Sequence, residues 1–148
     1  MELTPQDQQW AKETIMKTGL FSTCSADNMQ KMLDGLVKEH HKSGATVLFQ
    51  GEISSRLYLV ETGKVSVNVR TGRDKAKVAE LGPNTYFGEI SLLRPRAATA
   101  TIKAEEETDI VSLPGEIVQA LIKNDPALSD FINKKIEERL QGQKKKEE

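Results

Sequence analysis

Cysteine is nearly absent: Cys24 stands alone in 148 residues. One thiol excludes an intrachain disulfide and a multi-cysteine zinc site. It also points to a reducing compartment, so a cytoplasmic location is expected. Histidine is almost as scarce. His40 and His41 are the only two, and adjacent residues on a strand face opposite sides. The clustered His and Glu ligands of a metalloenzyme on a β scaffold are therefore missing, and so is anything to activate water; no enzyme is expected. A charge surplus is lacking too. The 21 Lys and Arg balance 22 Asp and Glu, which argues against the basic excess that bulk nucleic-acid binding needs. No apolar run approaches the roughly 20 residues that cross a bilayer. The start, Met1-Glu2-Leu3-Thr4-Pro5, has neither the basic nor the apolar region of a signal peptide. What is present, 37% hydrophobic and 29% charged residues, suits one globular domain over residues 1–148.

The chain reads as helices (about 4–40), strands (about 44–113), helices again (about 115–141) and a charged, frayed tail (142–148). Thr4-Pro5 opens the first helix, with Asp7 where a capping-box acid would sit. Gly19 is its stop. The apolar pattern Trp10, Ala11, Ile15, Met16 is loose, which predicts packing on something only partly present in the chain. Ser25 caps a second helix, and Met29, Met32, Leu33, Leu36 and Val37 form one stripe at helical spacing. Such a Met-rich stripe reads as ordinary core.

From Gly44 to Gly115 glycines punctuate short runs rich in β-branched residues: 46–49, 57–60, 65–69, 77–81, 99–102 and 109–113. Several alternate apolar and polar residues, as half-buried strands do. The spacing predicts a mainly β fold, an antiparallel, jelly-roll-like β roll of about eight strands, with N-terminal helices and two C-terminal helices. Thr71-Gly72-Arg73-Asp74 reads as a hairpin loop. After Pro114-Gly115, helical spacing returns at Ile117, Val118, Leu121 and Ile122. Asp125-Pro126 then caps a last helix that carries Leu128, Phe131, Ile132, Ile136 and Leu140 on one face.

The stretch from Tyr86 to Thr99 breaks the strand pattern. Gly88 lets the backbone approach a ligand closely. Glu89 to Leu93 can form one short helical turn whose first amides are free for an anion. Arg96 adds a planar, permanent charge suited to phosphate oxygens. Ala97 and Ala98 leave room. Glu89 would repel a phosphate, but an ionised carboxylate accepts hydrogen bonds, so it suits a hydroxyl beside that phosphate. A ribose phosphate combines the two. Glu89 can also hold Arg96. The bland alternative is a surface Arg-Glu pair worth roughly 0 to 1 kcal/mol.

Phe87-Gly88-Glu89-Ile90-Ser91-Leu92-Leu93, with Pro95-Arg96-Ala97-Ala98-Thr99, closely resembles the phosphate-binding cassette of cyclic nucleotide-binding domains. These are the modules of cAMP-dependent kinase regulatory subunits, nucleotide-gated channels, exchange factors and bacterial catabolite activators. Leu20-Phe21, Gly44, Gln50-Gly51-Glu52, Tyr58-Leu59-Val60, Gly63-Lys64-Val65 and Gly82 extend the likeness over about residues 20 to 140. The resemblance implies a regulatory module that reversibly binds a cyclic nucleotide, without a cofactor. It implies that Gly88 and Glu89 meet the ribose 2′-hydroxyl, backbone groups of Ile90 and Ser91 line the ribose phosphate, Arg96 pairs with the exocyclic oxygens, and Ala97 and Ala98 offer amides and space. Phe87 begins the same motif. Leu92 would couple the cassette to the C-terminal helices. Members that prefer cGMP often carry Thr after the arginine; Ala97 leans towards cAMP, with cGMP second. Partners expected from the resemblance are a kinase catalytic subunit, channel or exchange domain, met by the terminal helices.

This sequence departs from the family pattern in a stretch between Glu89 and Arg96 that is a couple of residues short. Ser54-Ser55 also replaces the frequent Gly-Asp, and the last helix has no late aromatic to cap a base. Ile136, Arg139 and Leu140 are the candidate caps. The alternative reading is a degenerate module that no longer binds nucleotide and serves as an interaction domain. A catabolite-activator reading would need a helix-turn-helix after the last helix, and the sequence carries none. Cys24 near a helix cap could be an activated thiol; a plain structural thiol is the simpler reading.

Overall fold

The structure, a computed structural model, describes residues 3–147, with side chains as far as Gly142. Two helices, α1 (Pro5–Met16) and α2 (Ala26–Asp34), precede ten strands. These are β1 (Val37–His41), β2 (Thr46–Leu48), β3 (Ile53–Ser54), β4 (Arg56–Thr62), β5 (Val65–Thr71), β6 (Asp74–Leu81), β7 (Thr85–Phe87), β8 (Arg96–Ala97), β9 (Thr101–Ala104) and β10 (Thr108–Pro114). Helices α3 (Gly115–Ile122) and α4 (Pro126–Glu147) close the chain.

Every strand pairing is antiparallel. One sheet runs β1-β10-β4-β7, a second β2-β9-β5-β6, and β3 pairs with β8 alone. The expected mainly β roll flanked by helices is therefore present, with ten strands rather than about eight. The strands that fall outside the six runs named from the sequence are β1, β3, β7 and β8. Two of them, β3 and β8, are two residues long and joined across the sequence by Ile53 opposite Ala97 and Ser54 opposite Arg96.

Two apolar cores form. The larger packs all four helices against the β1-β10-β4-β7 sheet: Ala11, Ile15, Phe21, Met32, Val118, Ile132 and Ile136 meet Leu57, Leu59, Val111 and Leu113. The smaller lies inside the roll and contains Leu48, Val60, Val65, Ile102 and Ile110.

Several local expectations hold. Thr4 and Asp7 form a reciprocal capping box, with the Asp7 amide donating to Thr4 Oγ1 at 3.1 Å and the Thr4 amide to Asp7 Oδ2 at 2.9 Å. Ser25 accepts from the Asn28 amide, and Asp125 from the Leu128 amide, each at 3.1 Å. Met29, Met32, Leu33 and Leu36 are buried.

Others need correction. The helical part does not reach residue 40. Gly35 caps α2, and Val37 leaves the buried stripe to begin edge strand β1, where it is exposed. Helix α1 stops at Met16, before Gly19. Its partner lies within the chain: Ala11 and Ile15 are fully buried, and the Trp10 indole donates to Asn84 Oδ1 at 2.7 Å. Helix α4 continues past residue 141 to Glu147. The side chains of the expected frayed tail from residue 143, and all of Glu148, lie outside the described residues.

A charged triad ties α1 to the roll. Lys38 of β1 reaches Asp7 at 3.3 Å and Glu61 of β4 at 3.1 Å, and all three side chains are largely shielded from solvent. A hydrogen bond from the Glu61 carboxyl is the main cause that holds Asp7 down to about 2. Burial first, then Asp7, pushes Glu61 above the ordinary carboxylate range. Burial pulls the Lys38 ammonium down, but Glu61 and Asp7 outweigh it and the net shift is upward.

Candidate functional site

Strand β7 leads into the site. Its Phe87 ring stacks on Tyr58 of β4, centroids 4.8 Å apart and planes 9° from parallel. Gly88 follows with φ +87°, and a Cβ there would stand 2.6 Å from the Arg56 carbonyl. The glycine is thus required by the neighbouring strand's backbone, not only by a ligand's approach. Residues 89–93 form consecutive turns rather than a helix. Among the described residues, the Glu89 and Ile90 amides donate to no backbone carbonyl. Strand β8 then brings Arg96 and Ala97 beside β3.

A cavity of about 210 Å³ opens between these segments. Phe87, Gly88, Glu89, Ile90, Ser91, Arg96, Ala97 and Ala98 all line it, so the eight residues singled out in the sequence come together. Thr99, which ends the quoted motif, lines it too, and the remaining wall was not legible there: Leu48, Ser54, Val67, Ala100 and Ile102. Three of these, Leu48, Val67 and Ile102, belong to the roll core or pack against it, and the alternation of their strands marks them as core without saying that the core has a mouth. Ser54 is buried and stands opposite Arg96 in the β3-β8 ladder.

The chemistry of the cavity is an apolar floor with one cation and one anion at its side. Glu89 and Arg96 are both half-buried, and no hydrogen bond or ion pair joins them to each other or to another described side chain. The idea that Glu89 holds Arg96 is not met in this state. The Ala98 amide is also committed elsewhere, donating to the Glu52 carbonyl at 2.8 Å. The bland reading of an Arg-Glu surface salt bridge fails with the same observation.

The cassette spans both cores. Phe87 and Ala98 pack on the roll core, whereas Ile90 and fully buried Leu92 sit in the helical core with Leu128, Ile132 and Ile136. Arg94 forms an ion pair with Glu137 of α4. Gly115, the first residue of α3, donates its amide to the Ser55 carbonyl at 2.8 Å and lies so close to the Leu92 carbonyl that no side chain fits. None of the three candidate caps lines the cavity. Ile136 is buried in the helical core, Leu140 packs against it, and Arg139 donates to the Thr18 carbonyl.

The scarce reactive residues are engaged elsewhere. His40 pairs with Asp109 at 2.7 Å and His41 with Glu39 at 3.2 Å. Among the described residues no three His, Cys, Asp or Glu side chains could hold a metal. The Cys24 thiol is pushed up by burial and then by Asp125, the opposite of activation. No described helix is long and apolar enough to cross a membrane.

Residues 38–125 match the family model of the cyclic nucleotide-binding domain. The cyclic AMP receptor protein of Thermus thermophilus is 31% identical over 111 residues, 74% of this chain and 51% of that protein. A cAMP-dependent protein kinase regulatory subunit of Eremothecium gossypii is 29% identical over 119 residues, 75% of this chain and 25% of that protein. The chain therefore spans between a quarter and about half the length of these curated relatives. Among solved structures, a cyclic nucleotide-binding domain from Methylobacillus flagellatus superposes with TM-score 0.74 at 20% identity, covering 95% of this chain and 80% of that one.

Proposed function

The chain belongs to the cyclic nucleotide-binding domain family, and we propose that it is a non-catalytic regulatory module that reversibly binds a cyclic nucleotide, cAMP in preference to cGMP. One observation carries the reading: the cassette residues Phe87 to Ser91 and Arg96 to Ala98 line a single cavity in which, among the described residues, the Arg96 and Glu89 side chains have no hydrogen-bond or ion-pair partner. Arg96 takes the exocyclic phosphate oxygens, where its planar fork gives charge-assisted hydrogen bonds. Glu89 accepts the ribose 2′-hydroxyl, and the unpaired Glu89 and Ile90 amides face the same sugar phosphate. At about 210 Å³ the cavity is smaller than the roughly 300 Å³ of the smaller drug-sized pockets, which suits a sugar phosphate whose base projects from the mouth. Ala97 offers no hydroxyl to a guanine. The names of the Thermus and Eremothecium relatives support cAMP as the ligand class.

Binding acts by population shift. The nucleotide tightens the cassette, and Leu92 and Gly115 pass the change to α3 and α4, whose faces meet an effector: a kinase catalytic subunit, a channel or an exchange domain. The ligand can move that equilibrium only by its differential affinity for the two states.

Calorimetric titration with cAMP and then cGMP at fixed salt tests the reading. Micromolar or tighter cAMP binding, with cGMP weaker, is expected. Arg96→Ala should weaken cAMP binding by roughly 2 to 5 kcal/mol, as when one partner of a buried charge pair is removed. Glu89→Gln should weaken it less and should leave 2′-deoxy-cAMP binding unchanged. No heat and no thermal stabilisation with either nucleotide would replace this reading with the degenerate interaction module.

A further inference from the structure

The outer face of the β2-β9-β5-β6 sheet carries a second concavity, of about 780 Å³, separate from the cassette. Its lining includes Arg70 of β5, Lys75 and Lys77 of β6, and Lys103 of β9, with the ring of Phe49 at its margin. Arg70 and Lys75 stand directly opposite each other in the β5-β6 ladder. Like charges in that position repel and destabilise the pair; the Arg70 guanidinium donates to the Gly72 carbonyl at 3.3 Å, and no described carboxylate pairs with either residue. The carboxylates on this face, Glu80 and Glu105, are engaged by Lys77, and Glu80 also by Lys64. Arg70, Lys75 and Lys103 form no ion pair among the described residues, in a chain whose net charge is -1.

The wall of this concavity is built. The Gln50 side chain clamps the Arg70 backbone twice, accepting from its amide at 2.8 Å and donating to its carbonyl at 3.0 Å. The Gln50 amide in turn donates to Thr101 Oγ1 at 2.9 Å. These bonds hold the loop that bears Phe49 over the cationic face. Phe49 itself is 60% exposed, far from what an aromatic side chain adopts for packing alone.

We propose that this face is a second ligand site, for an acyclic nucleoside polyphosphate: the phosphates bridge Arg70, Lys75 and Lys103, and the base stacks on Phe49. Several phosphate charges would relieve the Arg70-Lys75 repulsion that a single cyclic monoester in the cassette cavity does not reach.

ATP, inorganic tripolyphosphate and adenosine are titrated into the full chain, with amide chemical shifts followed by NMR. ATP and tripolyphosphate are expected to bind, adenosine not, with the shifts centred on Asn68, Arg70, Lys75 and Thr101. The Arg96→Ala variant, altered only in the cassette, should bind ATP as the wild type does. The double variant Lys75→Ala and Lys103→Ala should lose at least tenfold in affinity for both anions at a melting temperature no lower than that of the wild type, since it removes the Arg70-Lys75 repulsion. Phe49→Ala should weaken ATP several-fold and leave tripolyphosphate unaffected. Absence of ATP binding below millimolar concentration overturns the proposal. So does ATP binding that Arg96→Ala abolishes and the double variant retains, or binding of an acidic peptide to this face in place of ATP.

Discussion

The two cores of this molecule are unequal, and the inequality follows the division of labour between them. The helical core draws on every helix and on one face of a four-stranded sheet, and its members Phe21, Leu57, Leu92, Ile132 and Ile136 are fully buried. The roll core has five buried members, and its neighbours Val67 and Phe87 line the cavity while packing against it. A sheet closed on itself with too few side chains to fill it leaves a hole, and the hole is where a ligand can be housed. The helices supply the cohesion that the roll gives up. Strands β4 and β10 carry residues of both cores, and so does the cassette, with Phe87 and Ala98 on the roll side and Ile90 and Leu92 on the helical side.

The sharpest way to break this division is at Leu92. Leu92→Ala should cost about 2 to 5 kcal/mol of stability, read by denaturant unfolding. The matching cut in the roll, Ile102→Ala, should cost about 2 kcal/mol, the lower end of that range, because the site beside the cavity is already loosely packed. Equal losses at the two sites would mean that the cores are not unequal in the way described.

The charged seam between α1 and the roll sharpens the comparison through pH. Glu61 titrates higher in the fold than in the unfolded chain. Its contribution is therefore complete below its unfolded value and is lost as pH rises through the folded one. Asp7 has the opposite sign: its contribution is present above the ordinary carboxylate range and is lost as pH falls through about 2. Between acidic and neutral pH the wild type should lose stability with rising pH relative to Glu61→Gln, which cannot deprotonate. Melting temperatures across pH 4 to 7, taken as an order-of-magnitude window around the ordinary carboxylate value, check this. Parallel curves for the two proteins would refute proton sharing between Asp7 and Glu61.

The smallest effect is expected at Arg94. Its ion pair with Glu137 joins the cassette to α4 between partly exposed partners, so Arg94→Gln should change stability by only about 0 to 1 kcal/mol. A larger loss would show that the cassette is held to the last helix by charge as well as by Leu92.

Strands with a buried face were legible in the sequence because β-branched residues alternate there, as in 57–60, 65–69 and 109–113. Strand β1 was not. Its residues Val37-Lys38-Glu39-His40-His41 have no apolar alternation, since it is an edge strand laid on β10 with no side chain fully buried. Val37 also continued the helical stripe by chance, and Gly35 was the unread stop. Strands β3 and β8 are two-residue ladders whose partners lie more than forty positions apart, so no local pattern announces them. The cassette was legible because its run of residues resembles that of cyclic nucleotide-binding domains; its residue types alone fitted a surface ion pair equally well. The far wall was hidden because Leu48, Val67 and Ile102 obey the same inward alternation as any strand in a filled core. The committed amide of Ala98 and the carboxylate of Glu89, which has no partner among the described residues, depend on orientation, which a sequence does not carry.

Asp7 holds two posts at once. One carboxylate closes the first turn of α1 through the Thr4 amide and receives Lys38 from the roll. A helix whose starting clasp is also its mooring cannot unravel from that end while it stays moored, and cannot drift off while still fully wound. The N-terminal segment should therefore leave the body of the protein as a single unit, its amides from Gln8 onward becoming open to hydrogen exchange together rather than in sequence from the tip.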